Sequence, residues 1–289
     1  MVWADRKGTT EETVGDPADI AGTALSPDGR WVALSQTGEG AEAADIWVRD
    51  LVRGVTSRFT FNEGRDINPV WSPDGSRVAW AAARNGDLDI AVKAVGGTGE
   101  VEYLLEAEGT QSPSSWSPDG KSLLYYNLHP ESSWDINVLP LEGDRTPRAL
   151  VATPFVELRS RFAPGGRWFA YESNESGRFE IYVQAFPGPG GKWQISTAGG
   201  SEPQWGPNGR ELFYLSPERR MMRVEVQTGE SFEAGIPEPL FPVSLRPLTT
   251  NNRYLLSPDG GRFLLLSSLV QDSTPPTTVV VNWTAELGP

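Results

Sequence analysis

Short apolar stretches alternate with turn residues along the whole chain, and no stretch shows the 3.6-residue period of a helix. In one representative segment, Asn68–Trp71, Arg77–Ala82, Asp89–Ala94 and Val101–Leu105 predict four strands. Tight turns or glycine-containing loops separate these strands, so each strand is expected to pair with the next in antiparallel order. The pattern predicts an all-β chain built from short four-stranded sheets.

The turn that follows the first strand of this segment recurs six times. Its proline fixes φ near about −65°, its aspartate accepts bonds from its own backbone, and its glycine tolerates a positive φ. The copies are Leu25–Gly29, Trp71–Gly75, Trp116–Gly120, Phe162–Gly166, Trp205–Gly209 and Leu256–Gly260. Their prolines are Pro27, Pro73, Pro118, Pro164, Pro207 and Pro258, spaced by 43 to 51 residues. A self-similar unit of this length is typical of a propeller, an array or a solenoid.

The other copies of the repeat fit the same frame. The predicted second strands are Trp31–Ser35, Ser122–Tyr126, Arg167–Tyr171, Glu211–Leu215 and Arg262–Leu266. The predicted third strands are Asp45–Asp50, Asp135–Leu139, Glu180–Ala185 and Met222–Val226, and the fourth are Thr56–Thr60, Arg148–Val151, Lys192–Ser196 and Pro239–Phe241. Second strands such as 31–35 are apolar on both alternating sides, which requires cover on both faces. A radial array provides that cover because each sheet lies between two neighbours.

A large apolar residue stands two positions before each repeat proline and is predicted to fill the space between adjacent blades. These residues are Leu25, Trp71, Trp116, Phe162, Trp205 and Leu256. We therefore predict a six-bladed β-propeller with four antiparallel strands per blade, forming one domain over residues 1–289. The last blade is predicted to combine strands from both termini, with Val2–Asp5 and Glu11–Val14 from one end and Thr278–Trp283 from the other. The pattern leaves open which end supplies the outermost strand.

Charge and composition exclude several classes of function. The formal net charge is −13 and the pI is near 4.6, which opposes binding to nucleic acid or to an anionic membrane. No apolar run reaches the roughly eighteen residues of a membrane span, and Met1–Lys7 lacks the pattern of a signal peptide. A chain without cysteine forms no disulfide and has no thiolate ligand or nucleophile. We expect a monomer, and because Met1–Trp3 has the pattern of a mid-strand segment, we expect a domain of a longer protein.

The repeat resembles the WD-like repeats of TolB-type propellers. The resemblance lies in the Trp-Ser-Pro-Asp-Gly turn and in the Asp-Ile-x-Val segments Asp45–Val48, Asp89–Val92 and Asp135–Val138. Phrases such as Val2–Gly8 and Val281–Thr284 are similar to the C-terminal propeller of some bacterial serine/threonine protein kinases. That second resemblance implies a sensor or interaction module, bacterial and periplasmic or otherwise extracytoplasmic.

Two sets of carboxylates recur with the repeat. Asp28, Asp74, Asp119 and Asp259 occupy turn corners, where a turn needs that residue type. Asp45, Asp89, Asp135 and Glu180 open the third strands and could form a ring that binds a cation through oxygen ligands. The alternative is that each of these four accepts backbone N–H bonds from its own loop. We expect no cofactor, with a cation in the central channel as the alternative.

Candidate catalytic groups are scarce. His129 is the single histidine, it is predicted to lie in a loop over Asn127–Ser133, and the chain has no Gly-x-Ser-x-Gly elbow. Propellers of this type also cap prolyl-oligopeptidase hydrolases, but the α/β domain that would carry the nucleophile is missing from this sequence. We therefore predict a non-catalytic module that binds protein or peptide. The alternative is a propeller hydrolase, of a lactonase or glycan-acting type, that uses acidic residues in the central funnel.

One face of the predicted propeller carries the loops that join blades and the hairpins between second and third strands. Its mixed charges and aromatic residues suit a peptide or protein contact, although a merely solvated face has a similar composition. The candidate ligand-binding residues on it are Arg65, Asp66, Asn85, Asp87, His129, Trp134, Glu157, Arg159, Glu202 and Arg253.

Overall fold

The computed structural model describes residues 1–16, 18–38, 43–84, 86–96, 99–129, 133–188, 190–245 and 252–267. Every regular element in this part of the chain is a strand. The first twelve are β1 (Val2–Asp5), β2 (Thr10–Thr13), β3 (Ile20–Leu25), β4 (Trp31–Thr37), β5 (Ala44–Asp50), β6 (Thr56–Arg58), β7 (Asp66–Trp71), β8 (Arg77–Arg84), β9 (Asp87–Ala94), β10 (Glu102–Leu105), β11 (Gln111–Trp116) and β12 (Ser122–His129).

The second half of the described chain continues in the same way. Its strands are β13 (Ser133–Pro140), β14 (Arg148–Val151), β15 (Glu157–Phe162), β16 (Trp168–Ser173), β17 (Glu180–Ala185), β18 (Lys192–Gln194), β19 (Ser201–Trp205), β20 (Glu211–Leu215), β21 (Arg220–Thr228), β22 (Phe232–Ala234), β23 (Glu238–Pro242), β24 (Tyr254–Leu256) and β25 (Arg262–Leu265).

These strands form six antiparallel sheets, each a blade of a β-propeller. Blade 1 is β3–β6, blade 2 is β7–β10, blade 3 is β11–β14 and blade 4 is β15–β18. Blade 5 is β19–β23, in which β22 and β23 pair with opposite halves of the long strand β21. Blade 6 has the order β2-β1-β25-β24. The predicted six-bladed all-β architecture is confirmed.

Blade 6 closes the ring by joining the two ends of the described chain. Strand β1 pairs with β25 from Val2↔Leu265 to Asp5↔Arg262, and β2 pairs with β1 on its outer side. The N-terminal segment therefore supplies the two outer strands of the closing blade. The predicted C-terminal strand Thr278–Trp283 lies outside the described residues.

The hairpin between β12 and β13 corrects one prediction. Residues 127–133 were expected to form a loop, but β12 extends to His129 and pairs with β13 as far as His129↔Ser133. The reason is that alternating side chains continue the period of two through Tyr126 and Leu128, opposite Ile136 and Trp134. His129 therefore ends a strand and is not a loop residue.

The hydrophobic core lies between the blades. Between blades 1 and 2, Ala33, Ile46 and Val48 pack against Trp71 and Trp80. Similar clusters fill the other five interfaces, including the one between blades 6 and 1. Each blade is thus covered on both faces, as the apolar second strands predicted.

The large residues before the repeat prolines contribute to these interfaces. Trp71 Nε1 donates to the Ala24 carbonyl of blade 1 at 3.0 Å, and Trp205 Nε1 donates to the Arg161 carbonyl of blade 4 at 2.9 Å. Both indoles are nearly fully buried, so each satisfies its one donor on the preceding blade. The predicted interblade role of these two residues is confirmed by their contacts.

The Ser-Pro-Asp-Gly turn is held by its own side chains. In blade 2, Ser72 Oγ donates to Asp74 Oδ1 at 2.5 Å, and the same oxygen accepts the Ser76 N–H at 3.0 Å. The Gly75 N–H closes the turn on the Ser72 carbonyl at 2.9 Å. Hydrogen bonds from Ser72 and Ser76 lower the pKa of Asp74 to about 2. This aspartate builds the turn.

The turns also contact one another around the ring. A Cβ placed on Gly75 would lie 3.7 Å from Pro27 of the preceding blade, and one placed on Gly29 would lie 2.9 Å from Pro258 of blade 6. The same proline-to-glycine contact joins every neighbouring pair of repeat turns. The six turns therefore form a closed belt on one face of the propeller.

Gly29→Ala tests the belt. Gly29 and Gly143 both have a positive φ, at 71° and 73°, but only Gly29 is crowded, because no atom lies within 4 Å of a Cβ placed on Gly143. Gly143→Ala is the matched control and is expected to cost about 1 kcal/mol through backbone strain alone. Gly29→Ala should cost at least about twice that in urea unfolding, because its new methyl group also meets Pro258. Equal losses in the two variants would contradict the contact.

Candidate functional site

The two faces of the propeller differ in what they carry. The Ser-Pro-Asp-Gly turns, which join the innermost strand of each blade to its second strand, lie on one face. The opposite face, called here the upper face, carries the segments that enter the innermost strands and the hairpins between second and third strands. The innermost strands β3, β7, β11, β15, β19 and β24 surround the central channel. Residues near the upper ends of these strands can therefore meet across blades.

A pocket of about 470 Å³ opens on the upper face over blades 2, 3 and 4. Its wall combines charged groups with an apolar and aromatic surface. The main lining residues are Arg65, Ile67, Asn68, Asp87, Leu88, Thr110, Ser112, Tyr126, Trp134, Leu158 and Arg159. The volume is within the range of small-ligand sites, and it would hold one or a few side chains of a peptide.

Four of the ten predicted site residues line this pocket together: Arg65, Asp87, Trp134 and Arg159. They come from three blades and are up to ninety-four positions apart in the sequence, so the ring closure brings them together. Asn85 lies outside the described residues, and His129 ends β12. The role of all these residues in binding stays a prediction.

The pocket wall is held by side chains that the sequence analysis did not single out as a group. Asn68 Nδ2 donates to Ser112 Oγ at 2.8 Å and to the Tyr126 hydroxyl at 3.0 Å, which links blades 2 and 3. Trp134 lies edge-on against Tyr126, with ring centroids 5.4 Å apart. The aromatic wall is therefore fixed by contacts within and between the blades.

Bulges interrupt three of the innermost strands at polar residues. Asn68, Arg159 and Glu202 have left-handed φ values of 56°, 51° and 56°, and the pairing of β7, β15 and β19 shifts register at these points. A bulge redirects a side chain, and backbone strain of this kind is common at functional sites. Each of the three lies five residues before its repeat proline. This constant offset is visible in the sequence and could have identified the three positions.

Glu202 and Arg253, two further predicted site residues, belong to a charged chain that joins blades 4, 5 and 6. Arg159 Nη1 donates to Glu172 Oε2 at 2.8 Å, and Glu172 Oε1 accepts the Glu202 N–H at 2.5 Å. The Glu202 carboxylate in turn binds the Arg253 N–H at 2.7 Å and its guanidinium. Burial raises the pKa of Glu172, although the Arg159 cation opposes the shift. These charges are engaged with one another.

Asp66 and Glu157, the last two predicted site residues, are fully buried at the ends of their strands. Asn62 Nδ2 donates to both oxygens of Asp66, at 2.8 and 2.9 Å. Burial raises the pKa of Asp66 to about 6, and the nearby Asp45 adds to the shift. Burial also raises the pKa of Glu157, which accepts the Thr153 hydroxyl at 2.5 Å. These carboxyl groups lie beneath the surface and do not line the pocket.

The carboxylates that open the third strands are engaged within their own blades. Asp45 pairs with Arg58 at 2.7 Å, the Glu180 carboxylate accepts the Gly199 N–H at 2.9 Å, and Asp89 accepts the Ala107 N–H at 3.4 Å. In the part of the chain that the structure describes, no three carboxylates or imidazoles are grouped to hold a metal ion. The cation in the channel stays a prediction.

The chain is similar in sequence and in fold to known propeller proteins. Residues 7–127 match the family model described as the TolB beta propeller domain. The repeats in this segment are similar to those of TolB. A solved TolB-like protein from Agrobacterium tumefaciens shares the fold with a TM-score of 0.69 and 20% identity, covering 91% of this chain and 95% of that protein. The resemblance to TolB-type propellers is confirmed.

Two relatives extend beyond this chain. The uncharacterized peptidase YuxL of Bacillus subtilis is 29% identical over 124 residues, which are 41% of this chain and 19% of that protein. The uncharacterized protein Atu1656 of Agrobacterium fabrum is 26% identical over 190 residues, which are 66% of this chain and 52% of that protein. The chain therefore spans about a fifth and about half of the lengths of these relatives.

The comparisons and the described residues show no catalytic site. Within the described residues the structure also contains no apolar helix long enough to cross a membrane. What the upper face offers is a shaped pocket with fixed aromatic and charged groups.

Asp66→Asn tests the buried carboxyl group. Its pKa is about 6 in the folded protein and about 3.8 when unfolded, so only the unfolded state loses the proton as pH rises between these values. The wild type should lose stability over this window relative to the variant. Urea unfolding should show the variant more stable by up to about 3 kcal/mol above pH 6, with the difference vanishing below pH 4.

Asp74→Asn is the control with the opposite sign. Its pKa is lowered to about 2, so its carboxylate stabilises the fold above pH 4 and this stability is lost as pH falls toward 2. A difference between Asp66→Asn and wild type that does not change with pH would contradict the raised pKa of Asp66.

Proposed function

We propose that this propeller is a non-catalytic module that binds a protein or peptide partner through the pocket on its upper face. The observation that carries the proposal is the pocket itself, where Arg65, Asp87, Trp134 and Arg159 converge from three blades. Aromatic and arginine side chains dominate the binding energy of protein contacts when they lie in a defined recess. The partner inserts one or two side chains against Trp134, flanked by the two arginines.

The surroundings of the pocket support a protein partner. Four exposed apolar side chains lie at the upper ends of blades 1 to 4, namely Phe61, Leu128, Phe155 and Phe179. Apolar residues scattered singly need no explanation, but a set on the same face as a pocket suits a larger contact area. The partner therefore covers the rim of the pocket as well as its interior.

The charge of the chain guides the choice of partner. The formal net charge is −13, whereas the pocket presents Arg65 and Arg159 beside the single carboxylate of Asp87. A partner with a basic surface complements the acidic propeller, and an acidic or polar side chain of that partner complements the two arginines in the pocket. Nucleic acid does not, because its continuous negative charge is repelled by the acidic surface.

The module acts within a longer protein as a sensor or interaction domain. The supporting observation is that the curated relatives exceed the matched region, since the chain spans 19% of one and 52% of the other. The resemblance to kinase-attached propellers suggests a kinase domain in the same reading frame. Sequencing the full gene tests this part of the proposal directly.

A propeller hydrolase is the alternative. Asp66 and Glu157 are buried carboxyl groups with raised pKa values, a property that a general acid requires. Similarity to a protein named as a peptidase adds to this reading. Turnover of peptide, lactone or glycan substrates that is abolished by Asp66→Asn or Glu157→Gln would favour the hydrolase over the binding module.

The binding function is tested by selection of peptides from a displayed library on the wild-type chain, followed by calorimetry. Trp134→Ala removes the aromatic wall and Arg65→Ala removes a charge at the rim. Each is expected to weaken binding of the selected peptides at least about tenfold, or about 1.4 kcal/mol.

Arg53→Ala is the matched control for Arg65→Ala. Arg53 is an exposed arginine in the turn after β5, on the face that carries the repeat turns. Its removal should leave the affinity unchanged. Selected peptides that bind both pocket variants as tightly as wild type would overturn the assignment of the pocket.

A further inference from the structure

Arg161 reaches across the central channel. It lies in β15, the innermost strand of blade 4, and its Nη2 donates to Asn252 Oδ1 in the segment that enters blade 6. Blades 4 and 6 are not neighbours in the ring, so this bond passes in front of blade 5. The guanidinium therefore stands inside the channel, two residues along the strand from the pocket residue Arg159.

Arg161 differs from the arginines around it in its lack of a counter-charge. Arg159 pairs with Glu172 at 2.8 Å, and Arg253 pairs with Glu202. Within the described residues no carboxylate lies within ion-pair distance of Arg161, whose recorded hydrogen bond goes to a neutral amide. A guanidinium has five N–H donors, so most of its donor capacity is unused.

The amide partner does not compensate for this charge. Asn252 Oδ1 also accepts a bond from Gln204 Nε2 at 3.3 Å, and Asn252 Nδ2 is anchored on the Thr23 carbonyl at 2.9 Å. Burial lowers the pKa of Arg161 to about 10, because the surrounding protein replaces much of its water. The side chain is still cationic at neutral pH, and it is held in place by a neutral frame.

A partly buried cation that has no carboxylate partner is costly to desolvate, and an anion that enters the site offsets this cost. The neighbourhood suits a single negative charge, because the nearby Glu202 carboxylate is already paired with Arg253. A second negative charge would be repelled by this carboxylate. A carboxylate accepts two parallel bonds from the guanidinium fork and brings only one negative charge, whereas a phosphate dianion brings two.

We propose that the central channel binds one carboxylate group at Arg161, presented by a peptide that enters from the upper face. The inference rests on the proposed function, since it names the chemical group that the peptide partner carries. The carboxylate comes from the C-terminus of the peptide or from an acidic side chain. The two sources share their chemistry, and the experiment below distinguishes them.

The test measures thermal unfolding in a chloride-free buffer with small probes. N-acetylglycine supplies a C-terminal carboxylate, and the α-amide of N-acetylglutamate supplies a side-chain carboxylate. N-acetylglycinamide is the neutral control and inorganic phosphate is the dianionic control. We expect at least one carboxylate probe to raise the Tm of the wild type, and the probe with the stronger effect identifies the source. The neutral amide should have no effect.

Arg161→Gln removes the charge and keeps a donor for Asn252. This variant should lose the Tm rise with both carboxylates, and without probes it should melt no lower than wild type because an unpaired charge is gone. Arg210→Gln, at an exposed arginine of the fifth repeat turn, is the matched control and should respond as wild type does. Arg161→Lys keeps the positive charge but lacks the two parallel donors of a guanidinium. This variant should show a Tm rise with the carboxylate probes that is several-fold smaller than that of the wild type.

Three results would overturn the proposal: an equal Tm rise in Arg161→Gln, an equal rise with the neutral amide, or a larger rise with phosphate than with either carboxylate. The proposed function fails separately. Trp134→Ala should weaken peptide binding while it leaves the response to N-acetylglycine intact. If Trp134→Ala still weakens the selected peptides and Arg161→Gln does not change the probe response, the pocket stands and the channel site does not.

Discussion

Apolar packing between the blades is the interaction on which the rest of the structure depends. A single four-stranded sheet whose two faces are both apolar has no stable existence in water, because it must bury both faces at once. Trp80 and Ile46, on neighbouring blades, are both removed from solvent only because the two sheets meet. The same requirement repeats six times, so no blade can be left out and the first must reach the last. The ring therefore closes because apolar side chains must be buried between blades, and contacts between the repeat turns support the closed ring.

Because apolar side chains fill the space between the blades, many polar and charged side chains lie near the central channel. The innermost strand of each blade has its unpaired edge toward the channel, and polar groups such as Arg161, Glu202 and Asn68 lie near these edges. Their positions are set by bulges, since Asn68, Arg159 and Glu202 have left-handed backbone conformations at the same offset from the repeat proline. The backbone of the ring fixes the positions of these polar and charged groups close to one another. Preorganisation of this kind lowers the cost of ordering a site when a ligand arrives.

The fold could be predicted from the sequence because it depends on local signals. The turn chemistry of Ser72–Gly75 and the alternation in each second strand repeat six times, so a misreading of one copy is corrected by the others. The loop expected over 127–133 was wrong for residues 127–129 and 133, because a single copy was judged by its turn-forming residues although Tyr126 and Leu128 continued the strand period. Where the evidence is local and unrepeated, the sequence is a weaker guide.

The candidate site was predictable only in part. The order of strands predicted one face for Arg65, Asp87, Trp134 and Arg159, and these four residues line one pocket, although their role in binding stays a prediction. The partner of Arg159 is Glu172, a residue within a second strand with no feature to distinguish it in the sequence. Arg161 was hidden for the same reason, since its unpaired state depends on which charges the ring brings near it. Pairing across blades is a property of closure, and no local pattern encodes it.

The seam in blade 6 gives the ring a mechanical weak point. Blades 1 to 5 are each formed by one continuous segment of chain, whereas in blade 6 β1 meets β25 through backbone hydrogen bonds and side-chain contacts over the four pairs from Val2 to Asp5. Arg6 adds a clasp, with its guanidinium bonded to Glu211 of blade 5 and to the Gly260 carbonyl at 3.0 Å. Tension applied at Val2 would load this short ladder before any covalent connection resisted it. Within the described residues, the ring is thus closed by non-covalent contacts at one defined place.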